Sequence, residues 1–159
     1  MRALTSALLL LTCAASACGS PCGPTSGTVQ AVVDGDTFDL SDGRRVRLLL
    51  VDTPETTGGK NDCYGQEATA YTKSVIEGVQ VQLSYDDAAC TDRFGRTLAY
   101  VKQGEVELNS ELVKRGLACS LFIAPGGQAR AEEFETYEAE AKTSRTGMWG
   151  MCTNIPCDQ

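Results

Sequence analysis

An α+β fold, a small β-barrel with helices packed on it, is what this sequence predicts, and three observations carry the prediction. About five short segments alternate in polarity or are rich in branched residues, with turn residues between them. Three other segments repeat their apolar residues at helical spacing. A length of 159 residues, 42% hydrophobic and 22% charged, suits one domain with a real core plus a leader.

The first strand is expected in TVQAVVDG (28–35), which alternates loosely. TFDL follows a tight turn at Asp34-Gly35, and RVRLLLV follows the turn Ser41-Asp42-Gly43. Leu48 to Val51 is a continuous apolar run, which predicts a strand buried on both faces. Residues 64–77 place Ala68, Tyr71, Val75 and Ile76 on one helical face, with Gly78 as the stop. VQVQLSY (79–85) and TLAYV (97–101) read as two further strands. In NSELVKRG (109–116), Asn109 is an N-cap, Leu108 staples onto Leu112 or Val113, and Gly116 ends the turn. Residues 128–146 carry Phe134, Tyr137 and Ala141 at helical spacing, with Gly147 after them. The acidic run Glu132, Glu133, Glu135, Glu138 and Glu140 reads as that helix's solvated face. Tyr71 and Phe134 are expected in the core, and Trp149 as a packing anchor.

The leader has its own signature. Arg2 is the only charge before residue 34, and sixteen uncharged residues follow it, fewer than the ~20 of a membrane-spanning helix. This is the pattern of a secretory signal peptide over residues 1–17. Ala15, Ser16 and Ala17 stand directly before Cys18, and the group resembles a bacterial lipobox that would make Cys18 the lipidated N-terminus. The alternative is cleavage after Ala17 and release. Residues 18–27 then form a flexible tether, 28–152 the domain, and 153–159 a tail. Besides Cys18, six cysteines remain, enough for three disulfides in an exported domain. No C-x-x-C pair or histidine favours a metal site instead.

The chain has no histidine, which excludes a Ser-His-Asp triad, a Cys-His pair and imidazole acid–base catalysis. Net charge is −7, and about −8 once Arg2 is removed, so a broad basic footprint for coating DNA is also excluded. What remains is a cluster of acids at strand ends: Asp34-Gly35-Asp36-Thr37 and Asp52-Thr53-Pro54-Glu55-Thr56. Asp52 follows a deeply apolar strand, where a carboxylate is costly unless a cation or donors satisfy it. Convergence of Asp36, Asp52 and Glu55 favours a hard, oxygen-loving cation such as Ca²⁺. Arg47 lies five residues before Asp52, so the strand must end or twist near Val51 for both to reach one site. Arg96, just past Gly95, is a second arginine, and cation, carboxylate and two arginines are the kit of a phosphodiester hydrolase.

VDGDT, RLLLVDTPET, CYGQEATAYT, TDRFGRTLAY, LNSELVKRGLA and GMWG, in this order and at this spacing, resemble the staphylococcal nuclease (thermonuclease) family over residues 28–150. The resemblance implies a five-stranded OB-fold β-barrel with three helices. It implies calcium-dependent hydrolysis of DNA and RNA at the bond to the 5′ oxygen, leaving 3′-phosphate ends. By motif position, Asp36, Asp52 and the Thr53 carbonyl become calcium ligands and Glu55 the general base or water-orienting group. Arg47 and Arg96 become the phosphate-binding arginines. Phe94 stands where the family has tyrosine, and two pocket tyrosines become Phe122 and Ala124, so Phe94 and Phe122 are the substrate-stacking candidates. The loop from Glu55 to Tyr64 is about two residues shorter and holds only Lys60. Family topology also implies Cys119–Cys152; Cys63 at a helix start and Cys90 in the loop before Arg96 are a second expected pair, and Cys22–Cys157 is what remains. The expected protein is an exported monomer with no transmembrane helix, held by a lipid anchor or released, acting on DNA and RNA. A non-catalytic OB-fold module that binds oligonucleotides or a protein at the cell envelope is the second hypothesis. An envelope protein that binds calcium only for stability is the third.

Overall fold

The computed structural model describes residues 20–155. The expected signal peptide, the Cys18 lipidation position and Cys157 lie outside the described residues. Five strands form the barrel: β1 (Ser26–Val32), β2 (Thr37–Leu40), β3 (Arg45–Leu48), β5 (Gln80–Ser84) and β6 (Thr97–Gln103). Their order is β3-β2-β1-β5-β6, and parallel pairing of β3 with β6, Val46 opposite Thr97, closes the ring. Closure removes the free edges an open sheet would expose. A two-residue strand β7 (Val106–Glu107) extends β6, and β4 (Leu50–Asp52) pairs with β8 (Cys119–Leu121) as a small separate sheet. Three helices, α1 (Gly65–Ile76), α2 (Leu108–Lys114) and α3 (Ala131–Thr143), pack on the barrel, and a short α4 (Met148–Met151) follows. The α+β barrel with three helices stands as the sequence predicts.

Inside are Val29, Phe38, Leu40, Val46, Leu48, Val81, Leu83, Ala99 and Val101 from the strands. Ala68, Ile76, Leu112 and Phe134 come from the helices, and Tyr71 packs partly buried at the margin. These are the positions that strand and helix alternation turn inward.

Three expectations change. Leu48 to Val51 is not one strand: β3 ends at Leu48, Leu50 takes a left-handed φ of 61°, and β4 begins there. All four residues are buried because the chain leaves one sheet for another, not because one strand has two covered faces. Asn109 is not an N-cap. It sits inside α2, fully buried, and its side chain accepts from the Val101 amide while donating to the Leu49 and Ala99 carbonyls. It thereby ties β6 to the junction between β3 and β4.

The disulfides also differ. The bonds are Cys22–Cys90 and Cys63–Cys152, not Cys63–Cys90 or Cys119–Cys152, and Cys22 is therefore not free for Cys157. Cys119 is also disulfide-bonded. The cause is the path of the ends. The segment before β1 folds back across the loop from β5 to β6, held by Arg44, which donates to the Pro24 and Ser26 carbonyls. The chain beyond α4 returns to the start of α1, where Cys63 lies.

Candidate active site

Two acid loops meet at one end of the barrel, and two glycines let them. A Cβ on Gly35 would stand 2.7 Å from the Thr53 methyl, and one on Gly65 would stand 2.6 Å from the Thr56 methyl and 2.9 Å from the Pro54 carbonyl. With only hydrogen at those positions, the Asp34–Asp36 turn packs against Thr53 and the Glu55 loop packs against the start of α1. Buried Thr72 of α1 fixes the turn further, donating to the Gly35 carbonyl at 2.6 Å.

Asp36 is almost wholly buried, and its Oδ2 accepts from the Thr53 amide (2.8 Å) and hydroxyl (3.0 Å). Its Oδ1 accepts from the Thr37 hydroxyl and lies 3.1 Å from Arg47 Nε. Arg47 also reaches Asp52, Nη2 to Oδ1 at 3.0 Å, and its Nη1 donates to the Val51 and Leu48 carbonyls. The break at Leu50 is what brings Arg47 and Asp52 together: a straight strand would send residues five apart to opposite faces. Glu55 folds over its own loop, its Oε1 accepting from the Thr56 amide, the Thr57 amide and the Thr57 hydroxyl. Arg96 holds Asp92, Nε to Oδ2 at 2.7 Å. Asp34, Asp36, Arg47, Asp52, Thr53, Glu55 and Arg96 together line one polar cavity of about 200 Å³.

Charge in that cavity is unbalanced. Burial, and then the charge of Asp36, pushes the Asp34 carboxyl up to about 7. Burial raises Asp52 too, against the pull of Arg47. Glu55 moves the other way, held below the usual carboxylate range by the Thr57 hydroxyl and the neighbouring amides. It is thus an ionised carboxylate at neutral pH. Among the described residues no three acidic or cysteine side chains stand close enough to share an ion. The expected convergence of Asp36, Asp52 and Glu55 on one ion is therefore not met: Glu55 turns onto its own loop, which leaves two carboxylates and a main-chain carbonyl as the candidate ligands. All are hard oxygen donors at the rim of a polar cavity, the donor chemistry that calcium takes.

Beside this cavity lies a larger, mostly apolar one of about 540 Å³, shared through Arg47 and Arg96 and walled by Leu48, Leu98, Leu121, Ile123 and Phe94. Phe94 is 69% exposed, with Arg93 4.8 Å and Arg96 5.5 Å from its ring centre. Phe122, expected as a stacking surface, instead packs against the barrel core. The residues on either side, Leu121 and Ile123, are the exposed ones, 36% and 68%. Leu121 and Ile123 present aliphatic side chains to the cavity while Phe122 between them turns to the core. Ala124 lines it as well. Sequence reasoning missed Leu121 and Ile123, and no local pattern in the sequence marks them.

Fold and site define a class: a closed OB-like barrel with acids and arginines gathered at one rim. The family model of staphylococcal nuclease homologues matches residues 45–151. The thermonuclease of Staphylococcus intermedius is 39% identical over 126 residues, 76% of this chain and 74% of that protein. Endonuclease YncB of Bacillus subtilis is 34% identical over 136 residues, 80% of this chain and 64% of that protein. An uncharacterised Bacillus anthracis protein is 34% identical over 79% of this chain, which spans 61% of its length. This chain belongs to the staphylococcal nuclease homologue family. The matched segment omits β1 and β2, yet the barrel cannot close without them.

Proposed function

We propose that this protein is an exported, calcium-dependent nuclease that hydrolyses phosphodiester bonds of DNA and RNA. The observation that carries the reading is the meeting of Asp36, Asp52, Thr53, Glu55, Arg47 and Arg96 around one small polar cavity. Asp36, Asp52 and the Thr53 carbonyl would hold calcium, which supplies a fixed double positive charge for phosphate oxygens and water. Arg47 and Arg96 bind the scissile phosphate and oppose the negative charge that grows on it. Glu55, kept ionised, orients a water and takes its proton. The water oxygen bonds to phosphorus, the bond to the 5′ oxygen breaks, and that oxygen leaves with a proton from solvent. A 3′-phosphate end remains. The disulfides and the leader support export, with Cys18 as lipid anchor or with release after Ala17, and the nuclease domain spans residues 28–152. Among the described residues no helix is long and apolar enough to cross a membrane.

The test is digestion of denatured and duplex DNA by the oxidised protein, with Ca²⁺, with Mg²⁺ and with a calcium chelator. Cleavage is expected with Ca²⁺ alone and is expected to collapse in Glu55→Gln. A folded, calcium-binding protein that leaves both DNAs intact would instead establish a binding module on this scaffold.

A further inference from the structure

Arg96 does more than line the acidic cavity. It also borders the apolar cavity and a third, polar groove of about 440 Å³. That groove is formed by Gln30 of β1, Asp39 of β2, Arg45 of β3 and the tip Phe94-Gly95-Arg96. Phe94 is the wall between groove and apolar cavity, bordering both. Gln30 and Arg45 are exposed, and Arg45 forms a two-pronged pair with Asp39 at 2.7 and 2.9 Å.

A phosphodiester carries a nucleoside on each side. A phosphate held at Arg47 and Arg96 has the apolar cavity on one side of Phe94 and the groove on the other. We infer that the Gln30–Asp39–Arg45–Phe94 groove is the subsite for that second nucleoside, so the protein grips a strand on both sides of the bond it cuts. The inference rests on the nuclease reading and adds the flanking nucleotide to it. The groove's chemistry suits a nucleoside: the Gln30 amide both donates and accepts, matching a base edge. The paired guanidinium of Arg45 is planar and rigid, and the exposed Phe94 ring offers a second flat surface. Its charge is nearly balanced by Asp39, so the groove recognises base and sugar rather than adding one more phosphate contact.

Equilibrium binding tests this apart from turnover. In the Glu55→Gln background with Ca²⁺, anisotropy of a fluorescein-labelled thymidine tetranucleotide is compared with competition by thymidine 5′-monophosphate. Two variants are used: Gln30→Ala, at an exposed position, and Asp39→Asn/Arg45→Gln, which leaves the net charge unchanged. The tetranucleotide Kd is expected to rise about fivefold or more in each, the loss of a modest base contact, while the monophosphate Kd stays constant. Unchanged tetranucleotide binding, or equal weakening of both ligands, overturns the groove. Failure of the parent protein to cut DNA would strike the nuclease reading alone, and the ratio of the two Kd changes would still decide whether the groove holds a nucleoside.

Discussion

Two arginines of this barrel each hold two carboxylates, and the fold treats them in opposite ways. Arg130 reaches Glu107 at 2.9 and 3.1 Å and Glu133 at 2.8 Å through two nitrogens, and lies 4.6 Å above Tyr100 and 5.1 Å above Phe134. Its hydrogen bonds, with that of the Tyr137 hydroxyl, pull Glu133 down to about 2. Arg47 holds Asp36 and Asp52 while Asp34 and Glu55 crowd the same cavity, and Asp34 is pushed up to about 7 and Asp52 raised. Around Arg130 both carboxylates are met by its guanidinium and Glu133 is held low, which is what a structural network does. Around Arg47 burial holds two neighbouring carboxyls above their ordinary range, the pattern that marks a functional-site candidate.

The largest separation of the two regions lies in turnover. Arg96→Ala and Glu55→Gln are each expected to lower DNA cleavage about 10²–10³-fold with the circular dichroism spectrum unchanged. Arg130→Met should leave cleavage within about twofold, and a comparable loss there would erase the contrast. Calcium is the next lever. At about one hundred times its Kd it should stabilise the protein by about 2.7 kcal/mol, seen as a higher melting temperature. Asp36→Asn is expected to abolish that gain and Glu133→Gln to keep it, so an equal response in both variants would sink the ligand assignment.

Stability itself should reverse the ranking. Arg130→Met is expected to cost about 1–2 kcal/mol by urea denaturation, from a partly exposed network and its ring contacts. No measurable cost would make the network ornamental. The smallest effect is in pH. A depressed carboxylate contributes stability above its ordinary value near 4.5 and loses it as pH falls through about 2. Urea midpoints of Glu133→Gln should therefore fall less than the parent's between pH 5 and pH 2, and parallel curves would refute the assignment.

Most of the barrel was legible because its signals are local. TFDL is β2 residue for residue, and the three helices begin and end within a few residues of their stop and start signals. The acids and arginines were legible because they sit at fixed offsets in short motifs. What failed depends on contacts between distant segments. Four buried residues from Leu48 to Val51 look the same whether one strand has two covered faces or the chain passes between sheets. Asn109 has the composition of a cap, but the Leu49 and Ala99 carbonyls offered its amide a buried alternative. Phe122 turns to the core between Leu121 and Ile123, a packing choice made by the distant barrel residues it meets. Glu133 and Glu138, expected only to meet water, are engaged by Arg130 and by the Ser120 amide. Cysteine pairing follows the course of the chain ends, about which local pattern says nothing.

The Cys22–Cys90 bond has a mechanical consequence. A pull on the chain at Ser20 meets sulfur two residues on, before it meets any strand of the barrel. Tension then passes to Cys90, in the same loop as Phe94 and Arg96, so the ladder between β1 and β5 carries little of it. The sheet is spared, and the segment that would grip a phosphate is the first to feel the load.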